Sequence, residues 1–488
     1  MRQEALRMER VSTRENDVIQ LDGFNLSILA GEIMGLLPVN NHGLTSLLKL
    51  LQYNTPLRYG YVYYREEQVN TWRNSKQRHN RIGLIRSESC LVEGLTVTDN
   101  IFVLRPEFKT WILRPSILKK QLLPFLQSLD IDISAGAYVA ELTAFEKVVV
   151  DVLKSVVAGF KLIVLQDISA NIGEAELVKF HRLLKNYAAR GISFLYIDFH
   201  IEELGQVCDK VALMSNGRIV KTLDNAAGLT DAFRNYTKAY ISEVKQQAYA
   251  PAPAARDGGS VFEARGLTGE HVDGLSFSAA SGECVVLQNP DVQVFGELLS
   301  MLSGERVPES GSLLIDGREI APRIGGDIAV IQELPTETML FKELSYLDNL
   351  CFLLDSRIPE VWRDHGIREG VGREFIPAPG AEVFDKRIDE LTESQKYELV
   401  YTRIAIQKPK VVFCVQPFRS ADIGQRMHIR GLMKMLLDKG IAVVILAVNL
   451  AGNLSLADRL VRLRKDKPDE VYLPGEFSGI SLPAPWAE

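Results

Sequence analysis

Two rhythms of apolar residues alternate along this chain. Short, almost unbroken apolar runs at 33–37, 162–165 and 192–197 read as strands. They are too short for helices and too apolar for a sheet with one wet face. Between them lie stretches with apolar residues at helical spacing, such as 174–187. Strands alternating with helices predict an α/β unit, a mostly parallel sheet covered on both faces. The pattern then recurs. Leu142-Thr143 returns as Leu391-Thr392, Asp99-Asn100 as Asp348-Asn349, and the run at 162–165 as 411–414, each 249 residues later. Gly31-Glu32 returns as Gly282-Glu283. Shared order and spacing predict two units of one topology, 1–240 and 260–488. They are joined over 241–259, where QQAYAPAPAARDGGS has no apolar period and reads as a semi-extended linker. LRPSILKKQLLPFLQSL, within 106–129, has helical spacing and predicts a helical insertion in the first unit.

Composition narrows the class. A length of 488 residues exceeds one core, and 46% hydrophobic with 24% charged residues is ordinary for globular domains. A net charge of -6 argues against a nucleic-acid partner, which selects for basic surfaces. Cys90, Cys208, Cys284, Cys351 and Cys414 are far apart with mostly apolar neighbours, and read as buried thiols in a reducing compartment. Neither they nor the seven histidines have metal-site spacing. The first residues lack the apolar stretch of a signal peptide, and Lys154 and Lys161 interrupt the apolar run before Leu165. The expectation is a chain that does not span a membrane by itself.

The loop after the first strand carries candidate chemistry. Pro38-Val39-Asn40-Asn41-His42-Gly43-Leu44-Thr45 lies between a strand and a helix, the context of a phosphate-binding loop. Against G-x-x-x-x-G-K-[ST], Gly43 and Thr45 remain, while Pro38 replaces the first glycine and Leu44 the lysine. A helix N-terminus and close backbone N–H groups can hold phosphate, and a hydroxyl at Thr45 can meet Mg²⁺. Asn40, Asn41, His42, Gly43, Leu44, Thr45 and Ser46 are therefore the candidate nucleotide-binding residues. In the second unit the aligned loop runs from Asn289 to Gly296 and keeps none of the pattern. Asp291 and Phe295 there should repel or exclude a triphosphate.

Taken together, the order of elements resembles the tandem ATP-binding subunits of ABC importers for ribose-, galactose- and xylose-like sugars, over nearly the whole chain. Gly31-Glu32-Ile33 before the loop carries the likeness, with Leu95-Thr96-Val97-Thr98-Asp99-Asn100-Ile101-Phe102 and Gly217-Arg218-Ile219-Val220. In the second copy 440–446 and Leu456-Ala457-Asp458-Arg459 are similar to the family's last strands. The fold the resemblance implies is two tandem P-loop ABC cassettes, each a mostly parallel sheet with helices and a helical insertion.

The resemblance also locates the catalytic positions, and almost all are altered. Gln166 stands where the family has its Mg²⁺-directing Asp, so Thr45 and Gln166 are the candidate metal residues. Asp167 stands at the water-activating Glu. Val415 and Gln416 occupy these places in the second copy, although Pro417 and Asp422 keep the outline. Ser87 replaces the Q-loop Gln. The signature Leu-Ser-Gly-Gly becomes Leu142-Thr143-Ala144-Phe145 and Leu391-Thr392-Glu393-Ser394, with Phe145 expected in the path of phosphate and Glu393 facing it. The switch His aligns with Phe199, or with His200 after a one-residue shift, and with Val448 in the second copy. Asp167 and His200 are thus the candidate catalytic residues.

Phosphoryl transfer rests on positioning and charge neutralisation, so these losses together imply little or no hydrolysis. What the resemblance implies is a sugar-importer ATP-binding subunit, with ATP and Mg²⁺ held, if at all, in the first cassette. Integral membrane permease subunits would be the partners, with a sugar-binding protein engaged indirectly. The place would be cytoplasmic, peripheral on the inner face of the cell membrane. The alternative is a non-catalytic scaffold or regulator docking on a permease or sensor.

Overall fold

The structure is a computed structural model. It describes residues 3–15, 18–53, 55, 57–70, 80–87, 89–102, 133–224, 259–321, 323–352, 370, 380–419, 421–448, 450, 453–464 and 469–479. The chain divides into two compact units, one from each half. The expected insertion over 106–129 lies outside the described residues, as does the linker apart from Gly259.

In the first unit β3 (Ile33–Pro38), β6 (Ile82–Arg86), β7 (Leu162–Gln166), β8 (Ser193–Ile197), β9 (Lys210–Ser215) and β10 (Arg218–Asp224) form a six-stranded sheet of order β10-β9-β3-β8-β7-β6. Its strands run parallel except β10, which turns back on β9 through Asn216 and Gly217. Both turn residues have positive φ, 48 and 72, the geometry that Asn-Gly supplies in a tight hairpin. A second, antiparallel sheet joins β1 (Glu4–Glu15), β2 (Val18–Leu29), β4 (Tyr59–Tyr64) and β5 (Glu67–Gln68) in the order β2-β1-β4-β5. The helices are α1 (Leu44–Gln52), α2 (Val97–Phe102), α3 (Ala144–Val157), α4 (Glu174–Ala189) and α5 (Ile201–Val207).

The apolar runs read from the sequence are the strands at the centre of this unit. Their side chains alternate between two cores, as the period of two dictates. Ile33, Leu37, Ile163, Leu165, Phe194 and Tyr196 face the helices α3 and α4 with Val149, Leu153, Phe180 and Leu184. Met34, Leu36, Val164, Leu195 and Ile197 face the other way, packing with Leu6, Phe24 and Leu47 from the antiparallel sheet and α1.

The second unit repeats the plan. The strands β13 (Cys284–Gln288), β16 (Ile328–Ile331), β17 (Val411–Val415), β18 (Ala442–Ala447), β19 (Arg459–Arg462) and β20 (Glu470–Tyr472) order as β16-β17-β18-β13-β19-β20, the same arrangement read from the other edge. An antiparallel sheet of β11 (Ser260–Thr268), β12 (Leu275–Ala280), β14 (Ser310–Ile315) and β15 (Arg318–Glu319) again accompanies it. The helices are α6 (Val292–Ser303), α7 (Pro335–Thr338), α8 (Tyr346–Cys351), α9 (Glu393–Gln407) and α10 (Ile423–Asp438). The expected α/β fold of two similar cassettes is what the structure has.

The repeated motifs have local reasons. Glu32 and Glu283 each close the turn before the central strand, accepting from Leu29 N and Ala280 N at 2.7 Å. The Asp-Asn pairs build a buried corner. Asn100 accepts from Val92 N and donates to Val92 O and Thr96 O, while Asn349 does the same with Phe341 N, Phe341 O and Ser345 O. Four of the five cysteines are buried as expected, but Cys90 is exposed, because it lies in the loop after β6 rather than in a strand. No helix among the described residues is long and apolar enough to cross a membrane.

Candidate functional site

The first unit's loop leaves β3 pinned to its surroundings. Val39 N donates to Met214 O at 2.8 Å. Asn40 and Asn216 exchange two hydrogen bonds, Asn40 Nδ2 to Asn216 Oδ1 at 2.9 Å and Asn216 N to Asn40 Oδ1 at 3.1 Å. His42 Nε2 lies 2.8 Å from Ile19 O. Gly43 closes the loop with φ 81, and a Cβ there would lie 2.3 Å from Gln20 O. Packing against β2 thus requires a glycine here, independently of any phosphate. Helix α1 then begins at its N-cap Gly43 with no side-chain cap. Thr45 is exposed beside it, whereas Ser46 is buried. Leu44, at the position of the lysine, is only 5% exposed and belongs to the apolar cluster of Leu21, Leu36 and Ile197.

Gln166 ends β7, its Oε1 buried without a hydrogen-bond partner. Asp167 follows with φ 54, and its N–H donates to Ile197 O at 2.9 Å. Its side chain is buried rather than at the surface, because this left-handed turn folds back under the end of β8.

Sequence reasoning missed the two groups that surround His200. Asp198, fully buried at the end of β8, accepts from Ser169 Oγ at 2.6 Å and from His200 N at 2.9 Å. His200 Nδ1 lies 3.0 Å from the same carboxylate. Burial alone would push the Asp198 carboxyl up, but the His200 ring, the Ser169 hydroxyl and the His200 N–H together hold it below the usual carboxylate value. The signal was present as an Asp two residues before a His at a strand end. Phe199 is 6% exposed and lies in the same apolar cluster as Leu44.

The signature positions have become helix caps. Thr143 and Glu146 exchange hydrogen bonds at the start of α3, and Thr392 and Gln395 do so at α9. Phe145 does not project into a phosphate path, as its residue type suggested. It turns inward on the buried side of α3 with Leu142, Val148 and Val149. Glu393 pairs with Lys396 at 2.7 Å.

In the second unit the helix N-terminus is already filled by a carboxylate. Asp291 Oδ1 accepts from Gln293 N at 2.9 Å, capping α6 where a phosphate would need to sit. Phe295 is buried in the core below. Gln416 has φ 40, the counterpart of Asp167, and its Nε2 donates to Glu333 Oε1 at 3.0 Å. The first unit's loop differs in having no side-chain cap on α1, with Gly43 and Thr45 in place and no cation at Leu44.

The sequence pattern of the ABC transporter family matches residues 21–168. A protein of Rubrobacter xylanophilus named "Ribose import ATP-binding protein RbsA 3" is 23% identical over 483 residues, covering 97% of this chain and 96% of its own. One of Bacillus licheniformis, "Ribose import ATP-binding protein RbsA", is 24% identical over 477 residues, covering 94% of this chain and 93% of its own. Among solved structures, the ADP conformation of an ATP-binding cassette of an ABC transporter aligns with 50% of this chain and 98% of its own, at 17% identity and a TM-score of 0.43. The resemblance to tandem ATP-binding subunits of simple-sugar importers, carried by the order of motifs, is borne out along almost the whole length of the relatives.

Proposed function

We propose that this chain is the ATP-binding subunit of a simple-sugar importer in which the paired cassettes persist while ATP hydrolysis is slight or absent. One observation carries the reading: Leu44 and Phe199, at the positions of the phosphate-binding lysine and the switch histidine, are packed together in one apolar core. Neither can neutralise charge developing on a transferred phosphoryl group, and such stabilisation is the main term in that reaction.

ATP with Mg²⁺ would be held in the first unit alone. The backbone of 40–46 and the N-terminus of α1 would face the phosphates, with the Thr45 hydroxyl and the buried Gln166 amide oxygen towards the metal. Mg²⁺ would supply the charge neutralisation that Leu44 cannot. Asp167 and His200 are the remaining polar groups at the ends of β7 and β8, and the Ser169–Asp198 bond fixes the orientation of the His200 ring. A second reading, a non-catalytic scaffold or regulator, draws support from Asp291, which caps α6 in the manner of a purely structural helix.

Both readings place the chain peripherally on the inner face of the membrane, docked on an integral permease or, for the scaffold, on a permease or sensor, with any sugar-binding protein engaged only indirectly. Phe341 and Phe352 support a docking surface in the second unit. Their ring centroids lie 4.2 Å apart, with the planes tilted by 38°, while the residues remain 44% and 45% exposed, on the corner that Asn349 builds. Exposed paired aromatics are typical anchors of interfaces. Solubilising native membranes in mild detergent and purifying the chain should recover permease-like subunits. The double variant Phe341→Ala/Phe352→Ala should weaken that recovery by about tenfold or more, since truncating such anchors costs about 2 kcal/mol. Recovery of no integral membrane protein with the wild type would refute the docking role.

A further inference from the structure

The segment that presents Phe341 is held from two sides by arginines. Strands β16 and β17 run parallel, with Ile331 opposite Cys414, and Glu333 and Gln416 follow at their C-terminal ends. Glu333 Oε1 accepts the Gln416 amide at 3.0 Å and is also paired with Arg419 Nη1. The Arg419 side chain is only 7% exposed. Its own N–H donates to Gln416 O at 3.0 Å, and Gln416 N donates to Leu446 O at 2.9 Å, so the cluster is anchored to β18 as well. Farther along, Arg403 on α9 donates from Nη2 to Met339 O at 2.6 Å, with its guanidinium otherwise buried.

The C-terminal ends of parallel strands are where open α/β sheets receive ligands. Here that place is filled by a cation belonging to the chain. Desolvating an arginine and a carboxylate is expensive, and removing one partner strands the other. Such a pair is therefore a poor general stabiliser but an effective way of fixing one conformation. Gln416, where a base would stand, serves as a neutral donor to the same carboxylate. It can hold Glu333 but cannot take up a proton from water.

We propose that Arg419, through Glu333, together with Arg403, through Met339 O, clasps segment 333–341 in a single conformation regardless of nucleotide. The second unit then offers Phe341 on a platform that does not move with ATP. This deepens the docking role proposed above, yet its test needs neither partner nor turnover.

The test is amide hydrogen exchange on the full-length chain, with and without Mg²⁺ and ATP, followed on peptides covering 332–341. In the wild type those amides should exchange equally fast under both conditions. In Arg419→Ala they should exchange about tenfold faster, and in Glu333→Gln by a smaller factor, while peptides from β18 stay as in the wild type. Arg419→Lys should restore part of the protection. The proposal is overturned if Mg²⁺ with ATP slows exchange of 332–341 in the wild type, or if Arg419→Ala leaves that segment unchanged. Should Arg419→Ala fail to fold, Gln416→Ala decides the matter in its place, with local acceleration expected and unchanged exchange contradicting the clasp.

Discussion

Gly43→Ala is expected to destabilise the first unit by about 3 kcal/mol, whereas Thr45→Ala should leave its stability unchanged. The alanine Cβ would have to adopt φ 81 and would meet Gln20 O at 2.3 Å and Gly217 Cα at 3.1 Å. The left-handed conformation alone costs an L-residue about 1–2 kcal/mol, and the backbone contact forces β2 to shift. Thr45 is exposed on α1, so its hydroxyl can be removed without opening the core. Thermal melting of the two variants, with binding of labelled ATP and Mg²⁺ measured beside it, separates the two meanings of the loop. Gly43 serves the fold in either case. If the loop still holds phosphate, Thr45→Ala weakens Mg²⁺-dependent binding while the melting curve stays in place. Leu44→Lys is expected to pay for any gained phosphate contact with a buried ammonium, since Leu44 lies in the core.

The contrast between these residues reflects what was legible in the sequence. The strands at 33–37 and 162–165 could be read because they are short, almost unbroken apolar runs, and the helix at 174–187 because its apolar residues keep helical spacing, while the return of the run at 162–165 as 411–414 supported the strand reading. The antiparallel sheets were missed. Strands such as β4, YGYVYY, are partly exposed and interrupted by glycine, and carry no clean alternation. At the site, residue types located the altered positions but not their surroundings. Nothing in the one-dimensional pattern showed that Leu44 and Phe199 share a core, or that Phe145 turns away from the helix end, because both depend on which face of an element is covered. The Ser169–Asp198–His200 chain brings together residues from two strand ends, and only the pairing of β7 with β8 makes them neighbours.

Acid should weaken the first unit through His181. His181 on α4 is buried against Tyr196, with ring centroids 6.1 Å apart, and its Nε2 has no hydrogen-bond partner. Burial, aided by Lys185 and opposed by Asp198, lowers its pKa from 6.5 to about 4. The unfolded chain therefore binds a proton below pH 6.5 that the folded chain refuses until about pH 4. Because the unfolded state binds more protons in this window, stability rises with pH across it and is lost as pH falls. The loss by pH 4 approaches about 3 kcal/mol. Asp198 acts in the same direction at lower pH, since its carboxyl is held below 3.8. Chemical denaturation of the full-length chain across this range should show the first unit's transition moving to lower denaturant on acidification. In His181→Leu that movement should largely disappear between pH 6.5 and 4. An equal slope in the variant would assign the acid sensitivity elsewhere.

If the tandem cassettes have outlasted their chemistry, steady-state ATP turnover shows it most directly. Purified full-length protein with Mg²⁺ and ATP, alone and reconstituted with whatever permease it recovers from the membrane, should release phosphate at the background rate. Asp167→Asn should be indistinguishable from the wild type. Robust turnover in the wild type that Asp167→Asn abolishes would contradict the account, because it would show Asp167 acting as the base in a working site.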